Sequence, residues 1–260
     1  MSPEIAGNPF IIIMVFVLGA AFGSLVSLLS YRLPREEPVG ATHSRCPKCH
    51  HRLGIRDLVP MLSWLFSKGR CRYCTQPISW RYPAIELIAA CIALACFAAF
   101  GISLEALIIF LLSICVLTLI VTDLEHYIIP DEVQVAMLML GAAYGFHMHT
   151  EPADMVAGFA VGLTIGLALR YGFLYLREKD GLGLGDVKFL AVAGVWLGVE
   201  PLVPFLFFSG VIGVITAMLW RVLGLGERFP FGPALALAMM LCLLWPAIPD
   251  YFWNIGRLFT

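Results

Sequence analysis

Gly183-Leu184-Gly185-Asp186 places a carboxylate at the edge of one apolar run, and Val121-Thr122-Asp123-Leu124-Glu125-His126 places a second at the end of another. If the runs are membrane spans, both aspartates lie at the membrane surface of a helix. A carboxylate there is costly unless it is solvated, paired or used. Whether the two meet depends on how many spans separate them and on which side each span starts.

Composition supports the membrane setting. The chain has 260 residues, 60% hydrophobic and 13% charged, about half the charge of a soluble domain. Apolar runs occur near 10–31, 84–101, 104–122, 132–148, 155–176, 187–200, 201–220 and 230–249. A span needs about 20 apolar residues, so the pattern predicts an all-α polytopic membrane protein with about eight transmembrane helices. The sixth run is short and contains glycine. It meets the seventh at Glu200-Pro201, a turn signal. The first run resembles a signal peptide in length. Its N-terminal flank carries only Glu4, however, and Tyr31-Arg32-Leu33-Pro34 follows it in place of a small-residue cleavage site, so a retained helix is expected.

Basic residues set the orientation. With the N-terminus outside and eight spans threaded, the inner segments hold Arg32, Arg35, Arg45, Lys48, Arg52, Arg56, Lys68, Arg70, Arg72 and Arg81, then Arg170, Arg177, Lys179 and Lys188, then Arg221 and Arg228. That is 16 of the 17 basic residues. Both termini are expected to be extracytoplasmic, and Asp123 and Asp186 fall on the same, cytoplasmic, side.

Residues 32–83 form the one polar insert. They contain Cys46-Pro47-Lys48-Cys49 and Cys71-Arg72-Tyr73-Cys74, with 21 residues between the pairs. Two such pairs suit tetrahedral thiolate coordination of Zn²⁺. Disulfides are disfavoured by the cytoplasmic placement, and a segment this small gains from a metal staple. Four thiolates close the coordination shell, so Cys46, Cys49, Cys71 and Cys74 read as a structural site. His43, His50 and His51 are alternative ligands that the set does not need. Cys91, Cys96, Cys115 and Cys242 lie in apolar runs as small core residues. The basic excess of the insert fits anionic lipid headgroups, and no nucleic-acid reader motif accompanies it. The expected division is a first transmembrane helix (1–31), the four-cysteine insert (32–83) and a membrane helical domain (84–260).

Each polar residue at a helix end has a structural alternative. Asp186 precedes an apolar run and can be a helix cap, but Gly181, Gly183 and Gly185 before it suit close backbone approach to a ligand. Asp123 is harder to explain, because the negative pole of a helix C-terminus disfavours an anion. Asp131, after Pro130 and three residues before Gln134, matches a capping box. Ser24, Ser27 and Gly23 read as helix-packing residues. Glu86 starts a span, where it either complements the helix dipole or holds a cationic ligand.

Several segments together resemble the type IV prepilin peptidases, bifunctional leader peptidases and N-methyltransferases of the GxGD aspartic protease type. The matching pieces run in family order. They are Gly23-Ser24 with Tyr31-Arg32-Leu33-Pro34; Cys46-Pro47-Lys48-Cys49; Asp57-Leu58-Val59-Pro60-Met61-Leu62-Ser63-Trp64-Leu65; Gly69 to Cys74; Ile78 to Pro83 with Glu86-Leu87; Asp123 to Asp131; Gly183 to Lys188; and Phe231-Gly232-Pro233. The resemblance implies cleavage of a short basic leader after a glycine on the cytoplasmic face of the bacterial inner membrane. It implies methylation of the new N-terminus from S-adenosylmethionine, with prepilins or pseudopilins of pilus and type II secretion systems as substrates. It implies Asp123 and Asp186 as the aspartyl pair, with Gly183, Gly185 and Lys188 supporting their loop. Glu86 is a candidate contact for the cofactor or the substrate ammonium. The family's Phe-Leu-Asn is Leu25-Val26-Ser27 here, and Ile129 and Phe189 stand where leucine is commoner. A proton-coupled transporter is a rival, weakened by spans almost free of ionisable residues. A non-enzymatic assembly protein with a docking insert is a second.

Overall fold

The computed structural model describes residues 8–40, 43–177, 181–226 and 228–245. Both chain ends, 1–7 and 246–260, lie outside the described residues, and so does the expectation that they are extracytoplasmic. Among the described residues there are helices and no strands. In chain order they are α1 (Pro9–Arg32), α2 (Leu62–Phe66), α3 (Arg81–Phe100), α4 (Leu104–His126), α5 (Asp131–His147), α6 (Pro152–Arg177), α7 (Leu184–Leu197), α8 (Leu202–Val222) and α9 (Gly232–Leu244). Every apolar run carries a helix. Five of these helices, α1, α3, α4, α6 and α8, are long and apolar enough to cross a membrane. The other three have 17, 14 and 13 residues. At 1.5 Å per residue, 14 residues reach about 21 Å, short of a hydrocarbon core of about 30 Å.

The chain divides into two compact units, Met1–Thr118 and Leu119–Thr260. In the first, Asn8 caps α1 by accepting from the Phe10 N–H at 3.0 Å, with Pro9 at the first helical position. That arrangement satisfies an orphan donor and presets φ. Helices α1 and α3 run antiparallel and pack through small residues. A Cβ at Gly23 would lie 2.5 Å from the Glu86 Cα. Lipid offers no hydrophobic gain for joining two apolar helices, so close backbone packing and polar contacts between them count for more. The Arg81 Nη2 donates to the Ser30 Oγ at 2.6 Å and ties the same pair.

The insert between them repeats one knuckle twice. In the first, the Cys46 N–H donates to the His51 carbonyl at 3.0 Å and the His50 N–H to the Cys46 carbonyl at 2.9 Å. In the second, the Cys71 N–H donates to the Gln76 carbonyl and the Thr75 N–H to the Cys71 carbonyl, both at 2.9 Å. His50 and Thr75, at the same place in each turn, have φ near +56° and +58°.

In the second unit α7 is the central helix. It packs antiparallel to α6 and parallel to α5, with Trp196 Nε1 donating to the Met137 carbonyl at 2.9 Å. Gly158 of α6 and Gly194 of α7 bring their backbones so close that neither position has room for a Cβ. Val187 and the continuous stretch Phe189 to Gly194 are buried. A helix that faces protein on most sides need not match the lipid thickness. This accounts for the short sixth run.

Candidate active site

Asp123 sits in the last turn of α4 and is only 5% exposed. Its own helix end is a negative pole, yet its Oδ2 accepts a hydrogen bond from the Gly232 N–H at 2.8 Å. Gly232 is the first residue of α9. The unpaired donors and positive pole at the start of that helix hold the carboxylate that α4 alone disfavours. A Cβ at Gly232 would lie 2.7 Å from the same oxygen, so this close approach requires glycine. The other oxygen of Asp123, Oδ1, has no hydrogen-bond partner among the described residues.

Asp186 is the third residue of α7. Its Oδ2 accepts from the Gly183 N–H at 3.1 Å. The capping alternative is therefore half right: Gly183 is the cap residue, and Asp186 closes the turn from inside the helix. Gly183 has φ −63° and ψ 151°, which any residue adopts, so the glycine run does not serve here as a left-handed turn. A Cβ at Gly185 would lie 3.1 Å from the Ile129 Cβ, and one at Gly232 would lie 3.2 Å from the Ile129 Cδ1. Ile129 thus packs against both helix starts, the one that carries Asp186 and the one that holds Asp123. The two carboxylates lie near enough for their charges to repel.

Two neighbours depart from the sequence expectation. Asp131 is not a cap: α5 has Pro130 at its cap position and no side-chain capping bond. Both Asp131 oxygens instead accept from Lys188 Nζ at 2.7 Å. The tertiary ion pair outcompetes the local motif. Gly185 and Lys188 sit within α7 rather than in a loop. Arg170 of α6 donates to the Leu182 carbonyl at 2.5 Å and fixes the segment entering Gly183. Gly232 was visible as part of a motif, but its role was not. Pro233 just inside an apolar run marks a helix N-terminus, and such an end is a ready partner for an anion.

In the insert, the four sulfurs of Cys46, Cys49, Cys71 and Cys74 lie within 4.8 Å of one another. Cys46 Sγ and Cys74 Sγ are 3.9 Å apart, and a tetrahedral zinc–sulfur length of about 2.3 Å separates thiolates by about 3.8 Å. The donor set fits zinc. Burial pushes the Cys46 thiol up, but hydrogen bonds from the Cys49 and Lys48 backbones and from neighbouring thiols win and bring it down to about 7. The Gln76 backbone lowers Cys74, while burial and the other three thiols push it up to about 12. His51 stacks on Tyr73 with ring centroids 3.6 Å apart and is not in the ligand cluster. The Tyr73 hydroxyl donates to Asp57 Oδ2 at 3.2 Å, and that bond raises its pKa.

Glu86 is the remaining candidate. It is 9% exposed, one turn into α3. The Ser24 hydroxyl donates to its Oε1 at 2.5 Å and the Met61 N–H to its Oε2 at 2.6 Å. Ser24 is thus more than a packing residue.

Residues 109–218, which contain both aspartates, match the type IV leader peptidase family, and residues 17–100 match the bacterial peptidase A24 N-terminal domain. The chain is 34% identical over 271 aligned positions to the prepilin leader peptidase/N-methyltransferase of Stutzerimonas stutzeri, covering 93% of each. It is 34% identical to the protein of that name from Bacillus subtilis strain 168, over 89% of this chain and 93% of the relative. It is 32% identical to that of Aeromonas hydrophila, over 89% and 90%.

The chain belongs to the type IV leader peptidase family.

No solved structure matches it. As a leader peptidase family member it carries its aspartates within one matched region and its cysteines and Glu86 within the other. Gly232 falls beyond both.

Proposed function

We propose that the chain is a membrane aspartic endopeptidase of the bacterial inner membrane. It cleaves the basic leader of type IV prepilins or pseudopilins after a glycine, at the cytoplasmic face, and methylates the new N-terminus. The observation that carries the peptidase reaction is the Asp123–Asp186 arrangement. Each carboxylate is held through Oδ2 by a backbone N–H, at helix starts that both pack on Ile129. Like charges this close favour a shared proton. The ionised member takes a proton from water as the water oxygen bonds to the scissile carbonyl carbon. The protonated member gives its proton to the carbonyl oxygen. Collapse breaks the C–N bond, and a carboxyl proton passes to the departing amine. The pair titrates as a unit. Gly183, Gly185 and Lys188 shape the start of α7 that carries Asp186.

Zinc, held by Cys46, Cys49, Cys71 and Cys74, supplies a closed structural staple for the insert, and no step passes through it. The N-methyltransferase half of the activity, with S-adenosylmethionine as donor, follows the names of the relatives. Each Glu86 oxygen accepts one hydrogen bond, from Ser24 and from the Met61 N–H, which ties it to the packing of the insert, and no step is assigned to it. Functionally the chain divides into 1–31, 32–83 and 84–260. The insert and the Asp123 and Asp186 ends face the cytoplasm and both termini face out. Leader cleavage of a prepilin-like substrate tests the peptidase: Asp123→Asn and Asp186→Asn should each leave a folded, inactive protein. Substantial cleavage by either variant removes the dyad. Reporter fusions within 32–83 and after residue 177 test the sidedness.

A further inference from the structure

The insert touches the membrane helices at an unexpected depth. Glu86 lies five residues into α3, about 8 Å from its start, and Ser24 lies eight residues before the end of α1, about 12 Å from it. Both belong to segments long and apolar enough to cross a bilayer. The Met61 N–H nevertheless reaches the Glu86 carboxylate at 2.6 Å. The insert backbone therefore descends past the ends of both flanking spans. Met61 has φ +57° and ψ −47°, and the Leu62 N–H donates to the Pro60 carbonyl at 2.5 Å. That is a γ-turn of the rare, strained hand, and such strain persists only where surroundings enforce it. A charge-assisted bond to a buried carboxylate does so here.

The residues around this turn are apolar and uncovered. Ile55, Leu58, Val59 and Leu62 are exposed, Leu65 is 63% exposed and Phe66 75% exposed. They would be a liability in water but suit the boundary between headgroups and acyl chains, which interfacial segments enter by about 5–10 Å. The depth of Glu86 along α3 matches. Arg56 precedes the patch and Lys68 and Arg70 follow it, all exposed. Those charges suit anionic headgroups and repel a basic peptide.

We propose that residues 55–66 of the insert form a membrane-dipping face. Leu58, Leu62, Leu65 and Phe66 enter the headgroup–acyl boundary of a bilayer containing anionic lipid, and Glu86 anchors the turn at that depth. Glu86 is thus a positioning residue for the insert. The inference rests on the spans and the Glu86 contacts, not on the peptidase reaction.

The test uses the full-length, zinc-loaded protein in nanodiscs of phosphatidylglycerol and phosphatidylcholine. The photoreactive residue p-benzoylphenylalanine replaces Leu62, Phe66 or, on a zinc knuckle, Lys48. Irradiation is expected to give lipid adducts at 62 and 66 and none at 48. Yields at 62 and 66 should fall in phosphatidylcholine alone and in a Glu86→Leu background. Position 207 on α8, where exposed Phe207 lies on a candidate span, reports that lipid capture works. Lipid adducts at 207 but none at 62 and 66 overturn the proposal. So do adducts at those two positions to a prepilin-like peptide or a second copy of the chain in place of lipid, and equal lipid capture at 48.

Discussion

Each unit of the chain buries one carboxylate near a helix end and satisfies it with a backbone N–H from a distant segment. For Glu86 the donor is Met61 at 2.6 Å, and for Asp123 it is Gly232 at 2.8 Å. The two differ in what is left over. The second oxygen of Glu86 is taken by Ser24. That of Asp123 has no partner among the described residues, and the charge of Asp186 stands near. A carboxylate closed on both oxygens holds structure together. One closed on a single oxygen is oriented and still able to exchange a proton. Burial alone does not separate the roles.

Substitutions sharpen or break this contrast. The largest effect is expected at the dyad: Asp123→Asn or Asp186→Asn should lower kcat for leader cleavage by at least about 10²–10⁴-fold, the range for a lost acid–base group. Glu86→Gln, measured in the same assay, should keep most of its activity. A Glu86→Gln enzyme as dead as the aspartate variants erases the distinction.

Next comes Gly232→Ala. The added methyl carbon would meet Asp123 Oδ2 at 2.7 Å. The carboxylate or α9 must shift, and misplacement by about 1 Å costs about 10²-fold. The loss should appear in kcat more than in KM. A variant with wild-type kcat would show that the Gly232 bond does not orient the aspartate.

Zinc should separate the units further. Replacing Cys46 and Cys49 with serine should abolish metal content and lower the thermal stability of the insert, while cleavage at saturating substrate persists well above that of Asp186→Asn. A folded, metal-free protein with no cleavage would place zinc in the peptidase chemistry. Glu86→Gln should in turn cost about 1–3 kcal/mol of stability, as for a buried bond network that loses its charge, read as earlier thermal unfolding. The smallest effect is expected for Asp131→Asn. Its pair with Lys188 is short but exposed, with side-chain exposures of 65% and 52%, and such pairs are worth about 0–1 kcal/mol.

The pattern of what the sequence revealed follows from range. Apolar runs and cysteine spacing are local signals, and they located every described apolar helix and the four-thiol cluster. A shared side for Asp123 and Asp186 was expected from basic residues alone, because orientation depends on charge counts between spans. The shortness of α7 was legible as a short sixth run, but its cause was not, since it depends on the neighbours that shield it from lipid. Asp131 carries a capping motif but makes a tertiary ion pair, because only packing brings Lys188 within reach. Ser24 looked inert for the same reason: Glu86, 62 residues away, gives it a partner.

The bond between Asp123 and Gly232 joins residues 109 positions apart, which has a consequence for biosynthesis. At synthesis rates of about 5–20 residues per second, about 5–20 s pass between the appearance of the first and the second. In the later part of that interval, once Asp186 has been made, both aspartates are present, but the residue that orients Asp123 does not yet exist. The hydrogen bond that orients Asp123 is thus completed late in synthesis, only when the last described helix begins.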